Sequence, residues 1–164
     1  GEQIFNYEEF LTLTAQVEAI LNSRPLTPLS SDPTELDYLT PGHFLTGGPL
    51  IALPELQWEG IPSNRLSRWQ LVQSVTQNFW RRWHQEYLHT LQQRSKWPTL
   101  QNNLKIGDLV LIHEPNTPPL SWRMGRITST SPGPDGLVRV VHLNTSRGPL
   151  SRAITKVSPL PIDD

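Results

Sequence analysis

Residues 64–97 contain neither proline nor glycine, in a chain of 164 residues that holds 16 of the one and 10 of the other. Proline removes a backbone donor and its ring clashes with the preceding helical turn, so long helices grow only between prolines. The composition of this stretch predicts a helix over roughly 64–95, capped by Ser63 or Asn64. At a rise of about 1.5 Å per residue it is a rod of roughly 45 Å. That exceeds the needs of a small domain, so part of it is expected to project or to bridge two units. Phe79, Trp83, Tyr87 and Leu91 recur every four residues, continued backward by Trp69, Val72 and Val75, which marks the face expected to be buried. Trp69, Trp80, Trp83 and Trp97 lie in the stretch, and Arg65, Arg68, Arg81, Arg82, Arg94 and Lys96 stand against one acid, Glu86.

Several classes are excluded at once. The chain has no Cys, which removes disulfide frameworks, thiol catalysis and cysteine zinc sites. No apolar run reaches the length of a membrane span, and the N-terminus lacks a signal-peptide pattern. The chain opens Gly1-Glu2-Gln3 with no initiator Met, which leads us to expect a fragment. The net charge of −1 hides a division along the chain. Residues 1–62 hold one base, Arg24, and nine acids, whereas residues 63–164 hold 13 bases and six acids. Such asymmetry points to a polyanionic partner, or to halves that neutralise each other.

Asn6 and Glu9 have capping-box spacing before a helix over 6–22, with Phe10, Leu13, Val17 and Ile20 on one face. Pro25 ends it. Residues 23–62 carry seven prolines and read as an irregular connector, yet its many Leu, Ile, Tyr and Phe residues are too numerous to leave in water. From Leu104 the pattern becomes one of strands. Leu109–Ile112 is a buried strand after a Gly107-Asp108 turn, Trp122–Thr128 a second, with Gly125 at a bulge or a close approach. Asp135-Gly136 marks a hairpin into Leu137–Leu143, Arg147-Gly148 another turn, and Ser151–Val157 an alternating strand. Four or five short strands with tight turns predict a small closed barrel. The fold class is therefore α+β: an N-terminal helix and Pro-rich connector (1–62), a long basic and aromatic linker helix (63–97), and a small β-barrel (104–162).

A metal-dependent nucleic-acid enzyme needs two or three converging carboxylates. Glu8, Glu9, Glu18, Asp32, Glu35 and Asp37 are the candidates, and they read better as a solvated surface. His43 lacks a partner at metal spacing and reads as structural; His84 and His89, five apart on a helix, diverge. Glycine-rich phosphate loops and Ser/His/Asp patterns are absent. For nucleic-acid binding, Arg81 and Arg82 flank Phe79, Trp80 and Trp83. Arginine suits phosphate and aromatic rings suit bases, but Phe79 and Trp83 read first as core. In the strand region Arg123, Arg126, Arg139, Arg147, Arg152 and Lys156 modestly outnumber the acids.

The collinear motifs Asn22-Ser23-Arg24-Pro25-Leu26-Thr27-Pro28, Leu39-Thr40-Pro41-Gly42-His43-Phe44-Leu45, Phe79-Trp80-Arg81-Arg82-Trp83, Gln93-Arg94-Ser95-Lys96-Trp97 and Gly107-Asp108-Leu109-Val110-Leu111 carry a resemblance. So do Pro118-Pro119-Leu120-Ser121-Trp122, Gly125-Arg126, Asp135–Val141 and Lys156-Val157-Ser158-Pro159-Leu160-Pro161. From about residue 7 to 162 the chain resembles the C-terminal part of integrases of BEL/Pao-type LTR retrotransposons. The resemblance implies that residues 1–62 are the tail of an RNase-H-like catalytic core with its connector, and that 104–162 form an SH3-like C-terminal domain. It implies DNA binding, to retroelement ends or target duplex, together with the integrase core and other integrase subunits as partners. It also implies work in the nucleus. No membrane and no small-molecule substrate is expected. The family's catalytic Asp, Asp and Glu lie upstream of this segment, and Glu8 and Glu9 match a non-catalytic position. The expectation is a chain with no catalytic site and no cofactor of its own, Mg or Mn belonging only to the missing core. The expected DNA contacts are Arg68, Arg81, Arg82, Arg94, Lys96, Arg123, Arg126, Arg139, Arg152 and Lys156. The alternative is a protein-interaction module, its barrel binding a peptide or chromatin protein, taken over from a retroelement. An autonomous nuclease using Glu8, Glu9 or Glu18 is a third reading.

Overall fold

The Asn6–Glu9 capping box starts the first helix as expected. The Asn6 side chain accepts from the Glu9 N–H at 2.8 Å, and Glu9 accepts from the Asn6 N–H at 2.9 Å. Helix α1 follows over Tyr7–Asn22. The structure, a computed structural model, describes residues 5–52, 56–58, 60–92 and 104–160. It divides into two units, each assembled from separated stretches of chain. The first comprises Gly1–Arg24, Thr40–His84 and Asn116–Ser121; the second comprises Pro25–Leu39, Gln85–Pro115 and Trp122–Asp164. The fold class is α+β.

In the first unit α1 lies parallel to the long helix α3 (Arg68–Leu91), since Glu9 bonds Arg68 and, two turns on, Gln16 accepts from Thr76 at 2.6 Å. The start of α3 differs from the sequence reading. Ser63–Arg65 form a separate 3-10 turn, and the helix is capped at Ser67, whose N–H donates to Gln70 Oε1 at 2.8 Å. Ser67 and Gln70 are themselves a capping box, because the side chain three residues on can reach back to the cap N–H. Residues 93–97 of the predicted helix lie outside the described residues.

The buried face of α3 also differs. The buried row is Val72, Thr76, Trp80 and His84 in the first unit and Leu88 in the second, one position round from Phe79, Trp83 and Tyr87, which are only half-buried. Trp69 is exposed. Polar groups enter this row because each has a partner: the Thr76 hydroxyl meets Gln16, and Trp80 Nε1–H donates to the Thr117 carbonyl at 2.8 Å. Trp80 also lies against His84, their ring centroids 4.8 Å apart. Counting apolar letters every fourth residue overlooks a row that alternates indole, hydroxyl and imidazole. A short helix α2 (Pro41–Thr46) carries Gly42 against α1: a Cβ there would lie 3.2 Å from the Asn22 carbonyl oxygen and 2.9 Å from Leu50 Cγ.

The second unit holds a five-stranded antiparallel sheet. Its strands are β3 (Leu109–Ile112), β4 (Met124–Pro132), β5 (Val138–Thr145), β6 (Gly148–Ala153) and β7 (Val157–Pro159), in the order β6-β5-β4-β3-β7. Val110, Ile112, Ile127, Val138, Val141, Leu143 and Val157 form its core. Each such side chain contributes about 1.5–3 kcal/mol by leaving water. The Asp135-Gly136 hairpin forms as expected, Gly136 taking φ +74°, a conformation that glycine adopts without a Cβ clash. At Gly125 the close approach is real: a Cβ would sit 3.2 Å from both Ile112 Cδ1 and Leu143 Cβ.

The expected alternation over 151–157 breaks at a 3-10 turn, Ile154–Lys156. That turn takes the chain off edge strand β6 and returns it to the far side of β3, where Ile112 pairs Val157 and Val110 pairs Pro159. Residues 25–39, expected to belong with the first helix, instead join the sheet unit, with the short pair β1 (Thr27–Pro28) and β2 (Tyr38–Leu39) closing their loop. Tyr87 holds the start of this segment through its hydroxyl, which donates to the Pro25 carbonyl, while its ring meets Trp122 edge-on at 5.4 Å. No described helix is long and apolar enough to cross a membrane.

Candidate nucleic-acid interface

The arginines expected to reach phosphate fall into three physical classes. Arg126 belongs to the first and is a correction: its side chain is only 3% exposed. Its Nε and one terminal nitrogen donate to the Glu35 carbonyl at 3.0 and 2.8 Å. That same nitrogen reaches the Ser30 carbonyl at 2.9 Å, and the other the Gly107 carbonyl at 2.8 Å. The planar fork of donors that suits phosphate suits converging carbonyls equally well. The turn at 30–35 aims those carbonyls inward. Asp32 Oδ1 accepts from the Thr34 hydroxyl and N–H, which together hold its carboxyl below the usual range. Arg126 therefore fastens the 25–39 segment to the sheet.

The second class is arginines already paired. Arg68 grips Glu9 with two nitrogens, Nε at 2.7 Å from Oε1. That ion pair is the largest influence lowering the Glu9 carboxyl, ahead of the bond with Asn6. Arg123 pairs with Glu114 and Arg139 with Asp135. Arg81, half-buried, donates to Asn78 Oδ1. The pairs of Arg68 and Arg139 are exposed and contribute little to stability, about 0–1 kcal/mol, whereas Arg123 is half-buried.

The third class is exposed charge without a carboxylate beside it in sequence. Beyond Arg139, which Asp135 holds, the chain to Leu160 carries Arg147, Arg152 and Lys156 and no acid. Arg147 stands in the β5–β6 turn, Arg152 on edge strand β6, and Lys156 in the following 3-10 turn. Arg147 and Lys156 are exposed and Arg152 half-exposed. On the opposite side of the sheet from Val141 and Leu143, His142 spans three strands: Nδ1 lies 2.8 Å from Ser151 Oγ and Nε2 lies 3.1 Å from Ser131 Oγ. Arg82 is exposed on α3, whereas Arg94 and Lys96 lie outside the described residues.

A family model matches residues 67–160, from the cap of α3 through β7. The chain belongs to DUF5641, a family of unknown function. The family match leaves out α1 and the 25–39 segment that Arg126 fastens, and takes in every basic residue of the β5–β6 edge. No curated protein and no solved structure matches the chain.

Charge divides differently over the folded units than along the chain. The first unit has five bases and six acids, and the second nine of each. The acidic 25–39 segment folds with the sheet, and basic Arg65–Arg82 fold with acidic α1, so the sequence asymmetry cancels within each unit. What persists is local, at the β5–β6 edge. Among the described residues no three His, Asp or Glu side chains gather into a possible metal site. His43 is structural as expected, its Nδ1 accepting from the Thr40 N–H at 3.1 Å. A group that the sequence did not single out is His113, whose Nε2 lies 2.8 Å from Ser158 Oγ. Burial first, then the influence of His89 and Lys156, pushes its imidazole below the ordinary value.

Proposed function

We propose that this chain is a DNA-binding and assembly region of a BEL/Pao-type retrotransposon integrase, acting in DNA integration in the nucleus without catalytic residues or a cofactor of its own. The observation that carries the reading is the group Arg147, Arg152 and Lys156, in the β5–β6 turn, on edge strand β6 and in the 3-10 turn that follows it, within a stretch from Gly136 to Leu160 that holds no acid. The five-stranded antiparallel sheet in the order β6-β5-β4-β3-β7 supports an SH3-like reading of 104–162. Exposed Arg and Lys on an edge strand and its turns meet a duplex backbone without reading bases.

The test is duplex binding by the whole chain, followed by fluorescence anisotropy across a salt series. Affinity should fall steeply with salt. Changing Arg147 and Arg152 together to Ala should weaken unrelated duplexes equally and lower the log–log salt slope by about 2. Absence of binding at low salt removes the DNA reading. One observation favours the protein-interaction alternative in that event: Tyr7, Phe10 and Leu11 on α1 are exposed, at 80%, 56% and 56%.

A further inference from the structure

Helix α1 has one face folded against its own unit and one face left bare. Glu9 and Gln16 reach Arg68 and Thr76 on α3, and Ile20, one turn on from Gln16, is fully buried. At 3.6 residues per turn, Tyr7, Phe10, Leu11, Thr14 and Glu18 all lie about 100° or more round the helix from Glu9. They form the opposite stripe, at the spacing that puts side chains on one face. Tyr7 is 80% exposed, Phe10 and Leu11 are each 56% exposed, and Thr14 and Glu18 are exposed as well. The Thr14 hydroxyl donates to the Phe10 and Leu11 carbonyls at 3.0 and 2.9 Å, so it is turned back onto its own helix and asks for no partner outside. Apolar residues scattered singly over a surface are ordinary, but three within little more than one turn make a contiguous patch.

We propose that this stripe docks an amphipathic helix of a partner protein, one whose apolar row is flanked by Lys and Arg. The inference goes beyond the DNA reading and does not depend on it: α1 belongs to the first unit, and the basic edge to the second. From Tyr7 to Glu18 the stripe runs about 16 Å, which three turns of a partner helix cover. Anchors at i, i+3, i+4 and i+7 are how helical faces of this kind are met. Charge selects the partner's sign. Residues 1–23 hold no Lys, Arg or His. Glu8 beside the stripe and Glu18 at its end are both exposed, while Glu9 is engaged by Arg68. A helix rimmed with acids sets like charges face to face, whereas one rimmed with bases complements Glu8 and Glu18. The same count disfavours a second copy of α1, which brings the same acids and no base.

The probe is a fluorescein-labelled Leu/Lys peptide of about 14 residues, roughly four helical turns, with its leucines on one face. A Leu/Glu peptide of the same pattern and a scrambled Leu/Lys peptide are the controls. Anisotropy with the whole chain should give a Kd below about 100 μM for the patterned Leu/Lys peptide, about tenfold tighter than either control. Amide shifts in NMR spectra should fall on α1. Phe10→Ala should weaken binding about tenfold, as loss of a central aromatic anchor does. Glu8→Lys together with Glu18→Lys should reverse the preference, so that the Leu/Glu peptide binds more tightly. These positions are exposed, so urea midpoints should stay within about 0.5 M of the parent. No binding below that Kd, shifts that lie outside α1, or a preference that survives charge reversal overturns the proposal. So does a larger fall of the midpoint in Phe10→Ala, which shows that the chain itself covers the ring. A chain that sediments as a dimer, and as a monomer in Phe10→Ala, assigns the stripe to a second copy and overturns the partner helix. Duplex affinity should be unchanged in Phe10→Ala, so failure of this inference and failure of the DNA reading are seen separately.

Discussion

Replacing Arg126 by Met separates the architectural role of this arginine from the DNA contact that its sequence position suggests. Met keeps most of the aliphatic volume and removes four hydrogen bonds to three carbonyls. The exposed Glu35 lets water reach its carbonyl, whereas Ser30 and Gly107 are half-buried. A buried acceptor left unpaired costs about 1–3 kcal/mol, so two of them amount to roughly 2–4 kcal/mol after some relaxation. The variant also avoids desolvating a guanidinium, which offsets part of this and places the expected loss near the lower end, about 2–3 kcal/mol. Urea unfolding reads it directly: with a slope of roughly 1–3 kcal/mol per molar, the midpoint should fall by about 1–2 M. Amide exchange should show where the loss falls. Protection should drop first at Leu26 and Leu29, whose N–H groups bond the Leu39 and Asp37 carbonyls, while the β4–β5 ladder holds. Arg126→Lys should be intermediate, since one ammonium cannot span three carbonyls. Duplex affinity per folded molecule should not change. A midpoint within about 0.3 M of the parent, or lost affinity at full stability, would refute the buried-clamp account.

Four further outcomes follow from the same geometry. Asn6→Ala should destabilise the protein by about 1 kcal/mol through loss of the α1 cap, read as a lower thermal midpoint. Because Glu9 titrates below its ordinary value of 4.5 in the folded state, its contribution is present above that pH and is lost as pH falls through the lowered value; Glu9→Gln should flatten that acid limb in urea titrations at pH 3–6. For His113, also lowered when folded, stability is intact above its ordinary value of 6.5 and declines as pH falls below it; His113→Gln should remove that decline, measured by urea midpoints between pH 7 and 5. Gly125→Ala should cost about 1–3 kcal/mol, because Leu143 Cβ is held by its own strand and cannot move aside, seen as a lower urea midpoint with an unchanged slope.

Local rules were legible in the sequence wherever one short stretch decided the outcome. The Asn6–Glu9 cap, the buried run Leu109–Ile112, the Asp135-Gly136 hairpin and the tight packing at Gly125 each depend on neighbours a few residues away or on the absence of a side chain. The Ser67–Gln70 cap was equally local, but the prolines before it drew the predicted start toward Ser63. The face of α3 was misread because Thr76, Trp80 and His84 are buried through partners in other elements, Gln16 and Thr117 among them.

The sequence by itself determined the order of elements: a capped helix, a Pro-broken connector, one long helix, then short antiparallel strands, with no cysteine chemistry and a basic second half. Only the tertiary structure decided which charges remain available. Arg126 reads like any surface arginine until the Ser30, Glu35 and Gly107 carbonyls converge on it. The acidic 25–39 segment reads as part of the N-terminal half until that convergence draws it onto the sheet. Neither partner is near the other in sequence, and long-range hydrogen bonds to backbone carbonyls carry no residue signature, since every residue has a carbonyl. Arg82, Arg147 and Lys156 stay exposed and Arg152 half-exposed, whereas Arg126 is used up by the fold.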